Sequence, residues 1–303
     1  MPPRRLHSWA KLCWTIIRVA TPSLYLSPTK LRTYATCPLQ YSHRYLTRLE
    51  APYTPASLIG EAVHQVLEIN FREKRHSGDD LGRHEAEDLY DRVWVQRAPV
   101  GLSGSDEKDV WSDAYARGLH ALQYYLAEEV PHLVPHLVEH RFRFEVPNVR
   151  WPIVGTVDLV DHNGTVVDFK TSRRHFDPTY LQGDLQLMCY AIGYAAFRAG
   201  SRVRPGHLPG PYFIPDVRVD VLIVGEPPAV QRLEARYGRD DLVGFGKRAA
   251  SIALGIEGER FDAFWRLPDA DADPTVCHRC SYAPRCADSL VAEEDLLETN
   301  GEY

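Results

Sequence analysis

Residues 154–170 gather the side chains with the greatest capacity for chemistry. Asp158 lies in one apolar run, Asn163-Gly164 follows, and Asp168 and Lys170 lie in the next run. Asn-Gly between two such runs predicts a two-residue hairpin turn. Alternate residues of a strand share a face, so Asp168 and Lys170 point one way and Phe169 the other. The turn folds Asp158 back alongside them. Two carboxylates and a lysine on rigid strands suit metal-assisted hydrolysis of a phosphodiester. Carboxylates hold hard divalent cations. Such cations activate water and offset phosphate charge. A lysine positions the nucleophile or neutralises the transition state. An ordinary surface hairpin with one salt bridge has the same short pattern, so the reading depends on the rest of the chain.

The cysteines supply a second chemistry. They stand at positions 13, 37, 189, 277, 280 and 286. Cys277-x2-Cys280-x5-Cys286 puts three thiols within ten residues, which points to metal ligation rather than a secreted disulfide framework. A zinc or iron–sulfur site needs a fourth ligand, and Cys13, Cys37 and Cys189 are the candidates. Cys37 ends a capped helix and precedes Pro38, so its thiol is the most reproducibly placed. Cys189 reads as a small core residue and Cys13 lies in a leader.

Other polar groups recur at helical spacing. Gln182, Gln186 and Tyr190 form one stripe on a helix predicted over 178–199, suited to touching a ligand or a lysine. His64 sits one turn after Gly60 on a strongly amphipathic helix from Ser57 to about Arg75. Tyr41, Tyr45, His43, Arg44 and Arg48 interleave rings with positive charge. Rings can stack on bases while the cations neutralise phosphates, and tyrosines in the core are the equal alternative.

These groups need a scaffold, and 303 residues with 44% hydrophobic and 25% charged content describe a soluble globular chain with a sizeable core. No apolar run reaches the length of a membrane-spanning helix. The net charge is −6, yet eight Lys or Arg precede the first acid, Glu50. Residues 1–24 read as a loosely attached leader, and 287–303 as an acidic tail. Ser27-Pro28 starts a short helix. Residues 76–130 read as a helical insert. Strands are predicted over 138–146 and 216–224, and a helix over 228–254. There is no Gly-x-x-x-x-Gly-Lys-Ser/Thr loop, so the chain shows no ATP motor of its own.

In order and approximate spacing, these pieces resemble the RecB-like branch of the PD-(D/E)XK nucleases. The nearest likeness is to its iron–sulfur members, the AddB nuclease domains and the CRISPR-associated RecB-type exonucleases. The resemblance rests on Leu31, Tyr34 and Cys37, on Gly60-x3-His64 and on Gly155-x2-Asp158. It continues through Asp168-Phe-Lys170, Gln186-x3-Tyr190 and the cysteine trio, and so runs from about Ser27 to Cys286. The chain departs from the family name at Val157, where a proline would stand. The insert 76–130 matches none of these motifs.

The resemblance implies an α/β fold: a restriction-endonuclease-like mixed central sheet flanked by helices, with a helical insert and a C-terminal cluster segment. The nuclease domain would span 25–286. His64, Asp158, Asp168 and the carbonyl of Phe169 would hold Mg2+ or Mn2+. Lys170 would orient or activate the attacking water. Tyr41, Arg44, Gln182, Gln186 and Tyr190 would face DNA, or Gln186 and Tyr190 would hold Lys170. Cys37, Cys277, Cys280 and Cys286 would bind a [4Fe-4S] cluster closing a loop of roughly 240 residues. The implied function is a cytoplasmic, metal-dependent exonuclease acting on single-stranded DNA or DNA ends. A helicase, or recombination or CRISPR adaptation proteins, would be its partners. Two rivals stand beside it: a non-catalytic nucleic-acid-binding protein of the same fold, and a zinc-stabilised interaction protein.

Overall fold

The structure is a computed structural model that describes residues 25–51, 53–99, 105–200, 206–211, 214–263 and 274–291. The expected leader 1–24 lies outside the described residues, as does most of the expected acidic tail. Helices α1 (Pro28–Thr36), α2 (Pro38–Tyr41), α3 (Pro55–Ser77), α4 (Arg83–Arg97) and α5 (Ser105–Glu128) come first. Strands β1 (Pro135–Phe144), β2 (Ile153–Asp161) and β3 (Val166–Ser172) follow. Helix α6 (Leu185–Ala199) leads to β4 (Asp216–Ile223), β5 (Ala229–Arg236), α7 (Arg239–Glu257) and the short α8 (Pro274–His278). The strands lie side by side in sequence order. Among the described strands, only the β3–β4 pair is parallel, and α6 lies on the connection between them. The sheet is therefore mixed, as the resemblance implies.

Side-chain alternation explains why both faces are covered. On β4, Val217, Val219, Val221 and Ile223 join the core formed with α1, α6 and α7. Leu222 joins Phe169 and Val167 in a second core under α3, α4 and α5. Arg218 and Asp220 share that second face and are buried there. Their charge is balanced locally: Arg218 Nε donates to Asp220 Oδ1 at 2.7 Å, and the Tyr125 hydroxyl of α5 donates to Oδ2 at 2.6 Å. Breaking one side of such a pair is costly, so this network fixes the insert to the sheet.

Helix α3 is sharply defined by its caps. Thr54 and Ser57 form a reciprocal capping box, Pro55 occupies the first turn, and Gly78 closes the end at φ 89°. Its buried face is Leu58, Ile59, Ala62, Val63, Val66, Leu67 and Phe71. That orientation carries His64 toward the sheet. Helix α1 rests on β2 at Gly155, where a Cβ would fall 2.5 Å from the Phe142 ring and 2.9 Å from Pro28. Glycine is what permits that approach.

Three local expectations are corrected. The connection between β2 and β3 is longer, the four residues 162–165, and Asp161 Oδ1 accepts there from the amides of Asn163 and Thr165. Gly164 alone takes a positive φ there, 85°. The helix predicted over 178–199 is broken. A short turn, Pro178–Leu181, ends at Gln182, and Asp184 then caps α6 through the amides of Gln186 and Leu187. Gln182 therefore leaves the stripe that Gln186 and Tyr190 share. The helix predicted over 228–254 is a strand followed by α7. Residues 229–236 pair in full register with β4, and tertiary pairing overrides their helical pattern.

Candidate active site

The β2–β3 ladder pairs Leu159 with Val167 and Val160 with Val166. Beyond these pairs, toward Asp158, the amide of Phe169 donates to the Asp158 side chain, at 3.1 Å from Oδ2. A carboxylate thus takes up a strand donor where the two strands part. Asp168 is fully buried next to that point. Lys170 Nζ lies 2.9 Å from Asp168 Oδ1 and 2.8 Å from Oδ2. From α3, His64 Nδ1 reaches to 3.5 Å from Asp158 Oδ2. The Phe169 ring points to the opposite core, stacked on Phe71 at 5.7 Å. Its direction is the one the strand alternation predicts.

The charges respond to this crowding. Burial, and then Asp158, push the Asp168 carboxyl up, while Lys170 and His64 pull it down, with the balance upward. Burial works against the Lys170 charge. Asp168 and Asp158 outweigh it and hold the ammonium above the usual lysine range. A lysine kept charged beside paired carboxylates is a hydrogen-bond donor and an electrostatic anchor.

A polar chain runs in from the side. Arg32 of α1 donates to Gln186 Oε1 at 2.9 Å, and Gln186 Nε2 donates to the Tyr190 hydroxyl at 2.6 Å. Tyr190 is buried, and Asp168 and Asp158 are among the charges that reach its phenol. Its ring packs edge-on against Phe142, so only Gln186 of this pair reaches the surface. Tyr41 is likewise turned into the core, 2% exposed and stacked on Phe261 at 6.0 Å. Arg44 lies over the Tyr45 ring at 5.5 Å. The tyrosine cluster after α1 is thus packing, with Arg44 at its edge.

Sequence reasoning missed two neighbours. Glu139 of β1 lies close to Asp158 and adopts φ 48°, a left-handed conformation unusual within a strand. Arg32 sits in α1, between the motif residues Leu31 and Tyr34. Neither carries a signal in one sequence. The Arg173-Arg174-His175 run directly after the Asp-x-Lys strand does, as a local basic cluster.

The N- and C-terminal parts of the described chain meet. The Tyr34 hydroxyl donates to the Arg260 carbonyl at 2.6 Å, Arg285 donates to the Glu50 carbonyl at 2.9 Å, and His43 lies 5.7 Å from the Tyr282 ring. Cys37 and Cys277 are buried and Cys280 and Cys286 partly so. The four thiols lie near enough to influence one another. Burial raises Cys37 first and Cys286 and Cys277 add to it; Cys280 responds in the same way to the other three. Cys189 is fully buried in α6 and apart from them. Four gathered thiols are a donor set suited to iron–sulfur or zinc, and His64 with the carboxylates to a hard cation. Among the described residues, however, no group of three or more His, Cys, Asp or Glu side chains stands in an arrangement that would hold a metal ion.

Comparison with known proteins gives the family. The profile of the PD-(D/E)XK nuclease superfamily matches residues 25–287, and the chain belongs to that superfamily. Its sequence is 26% identical over 202 residues to one of the subunits of the ATP-dependent helicase/deoxyribonuclease of Carboxydothermus hydrogenoformans. The match covers 56% of this chain and 18% of that protein, so the chain spans less than a fifth of its relative. A Eubacterium rectale protein described as an exonuclease, known from a crystal structure, superposes with a TM-score of 0.48 at 12% identity. That loose likeness covers 90% of this chain and 92% of the other. No described helix is long and apolar enough to cross a membrane.

Proposed function

We propose that this chain is a Mg2+- or Mn2+-dependent deoxyribonuclease, an exonuclease in preference to an endonuclease, acting on single strands or DNA ends. The observation that carries the reading is the convergence of Asp158, Asp168 and Lys170 where β2 and β3 part, with His64 beside them. His64, Asp158, Asp168 and the Phe169 carbonyl are the groups that would hold the cation. When bound, it supplies Lewis acidity toward a phosphate oxygen and lowers the pKa of water. The chain's own residues do the positioning. Lys170, kept charged, donates to the attacking water or a phosphate oxygen. Asp168 fixes that ammonium, accepting its hydrogen bond at Oδ1. Asp158 is oriented by the Phe169 amide. Gln186, held between Arg32 and Tyr190, presents its amide to substrate, and Gln182 is a further contact at the same end of α6.

The chain is further assigned to the RecB-like iron–sulfur branch. Cys37, Cys277, Cys280 and Cys286 would hold a [4Fe-4S] cluster whose role is structural, tying α1 and α2 to the C-terminal segment. The deoxyribonuclease it resembles is named together with a helicase, which supports a helicase partner, with recombination or CRISPR adaptation proteins as the other settings. The proposed location is the cytoplasm of a bacterium or archaeon, the protein being host- or phage-encoded. The experiment is cleavage of end-labelled single-stranded DNA with Mg2+, Mn2+ or EDTA, by the parent and by Asp168→Asn.

A further inference from the structure

The short turn Pro178–Leu181 between β3 and α6 carries Tyr180. That side chain shares a cleft of about 650 Å3 with Lys170 and Arg32. The turn is fixed from both sides by β5 and the residue that follows it. Ahead of the turn, Gln231 accepts from the Phe176 amide at 2.7 Å and donates to the Phe176 carbonyl at 2.9 Å. At its end, the buried Tyr237 hydroxyl donates to the Leu181 carbonyl at 2.9 Å. Within it, the Tyr180 amide donates to the Asp177 carbonyl at 2.9 Å. The Tyr180 ring lies 4.5 Å from that of Phe176. A phenylalanine would pack there equally well, so packing accounts for the ring and not for the hydroxyl.

The hydroxyl has cationic neighbours. Burial works against the Arg32 charge. Tyr180, Asp184 and Asp168 outweigh it, the phenol also through a side-chain hydrogen bond. A guanidinium only donates, so the phenol oxygen accepts in that bond and its proton is left for another acceptor. Arg32 donates to Gln186 Oε1 at 2.9 Å as well, which fixes the guanidinium between the two. Burial raises the phenol above its usual range, Arg32 and Lys170 pull against it, and the balance is upward. The hydroxyl therefore keeps its proton at neutral pH. Lys170, a second donor, feels Tyr180 in return. Donors fixed before a ligand arrives suit a phosphate oxygen on which charge develops.

We propose that Tyr180 is a further catalytic residue, its hydroxyl turned by Arg32 to donate to a non-bridging oxygen of the phosphodiester under attack beside Lys170. The phenol adds a neutral donor to the charged one, and no proton leaves it. The role rests on the nuclease reading. Gln231 and Tyr237 then act on the site by holding the turn.

The test compares the full parent chain with Tyr180→Phe and with a difluorotyrosine placed at position 180, which keeps the ring and makes the hydroxyl more acidic. Single-turnover cleavage of an end-labelled oligonucleotide with Mg2+ or Mn2+ is followed across the neutral and mildly alkaline range. Affinity for the same oligonucleotide is measured in EDTA, and melting temperature reports the fold. Tyr180→Phe should cleave on the order of a hundredfold more slowly. Its affinity should stay within about twofold of the parent, as for an interaction made only in the transition state. The difluorotyrosine protein should lose rate as pH rises through the ionisation of its phenol, where the parent does not. Tyr180→Phe cleaving at the parental rate overturns the proposal and leaves the nuclease. A rate loss matched by an equal loss of affinity overturns it too, making Tyr180 a binding contact. So does a difluorotyrosine protein whose pH profile follows the parent's, and that arm decides the matter if Tyr180→Phe melts early. A parent inactive with both metals removes the nuclease and the proposal together.

Discussion

The Phe169 amide donates to Oδ2 of Asp158, so one carboxylate is held in place by the backbone of the strand that carries the other. The spacing between Asp158 and Asp168 is set by the splay of two strands and not by flexible side chains. Groups held this way lose little orientation on ligand binding.

The Asp168–Lys170 pair should be coupled in stability as well as in function. Lys170→Met leaves a carboxylate buried without its cation, at a cost of about 3–5 kcal/mol. Asp168→Asn with Lys170→Met should recover most of that loss while remaining inactive. Urea denaturation of both proteins checks this. A single Lys170→Met variant as stable as the parent would show that Asp168 is not charged in the folded chain.

Tyr190→Phe removes the hydroxyl that accepts from Gln186. The ring stays in its core position, so the expected stability change is only about 0.5–1.5 kcal/mol. Turnover should fall by on the order of tenfold, because Gln186 loses one of its two anchors. The same substitution with unchanged turnover would confine Tyr190 to packing.

Much of this is legible in the sequence. Hairpin polarity, the amphipathic face of α3 and the burial of Cys189 follow from periodicity alone. The break before α6 does not. A Gly-Asp cap at residues 183–184 ends one helical pattern and begins another, and the four-residue spacing of the glutamines continues through it. Strand β5 is ambiguous because its alternation of charge and small apolar residues suits either structure until β4 supplies a partner. Arg32 and Glu139 carry no signal because each meets the site only through neighbours distant in sequence.

Glu139 should make stability depend on pH. Burial, then Asp158 and Glu68, push its carboxyl up from 4.5 to about 7, with Arg72 opposing. Between those values the folded state binds more protons than the unfolded state, so stability falls as pH rises through that window. Glu139→Gln abolishes this fall. In EDTA at pH 8 the variant should exceed the parent by no more than about 3 kcal/mol, and near pH 4 the two should be alike. Parallel pH profiles would place Glu139 outside the carboxylate cluster.

Cys37→Ser should lose iron and visible absorbance in protein purified without oxygen, and should melt early, as structural metal sites dictate. Cys189→Ser, altered in the core of α6, should keep its colour. Zinc in place of iron, or a Cys37→Ser protein that stays brown, would reassign the site.

The most direct measurement is of cleavage itself. End-labelled single-stranded DNA is incubated with parent and Asp168→Asn protein, each with Mg2+, Mn2+ or EDTA, and products are resolved by length. The account predicts metal-dependent shortening by the parent, none in EDTA, and a loss of on the order of a hundredfold or more in Asp168→Asn. Cleavage by Asp168→Asn at the parental rate, or no cleavage by the parent with either metal, would contradict it.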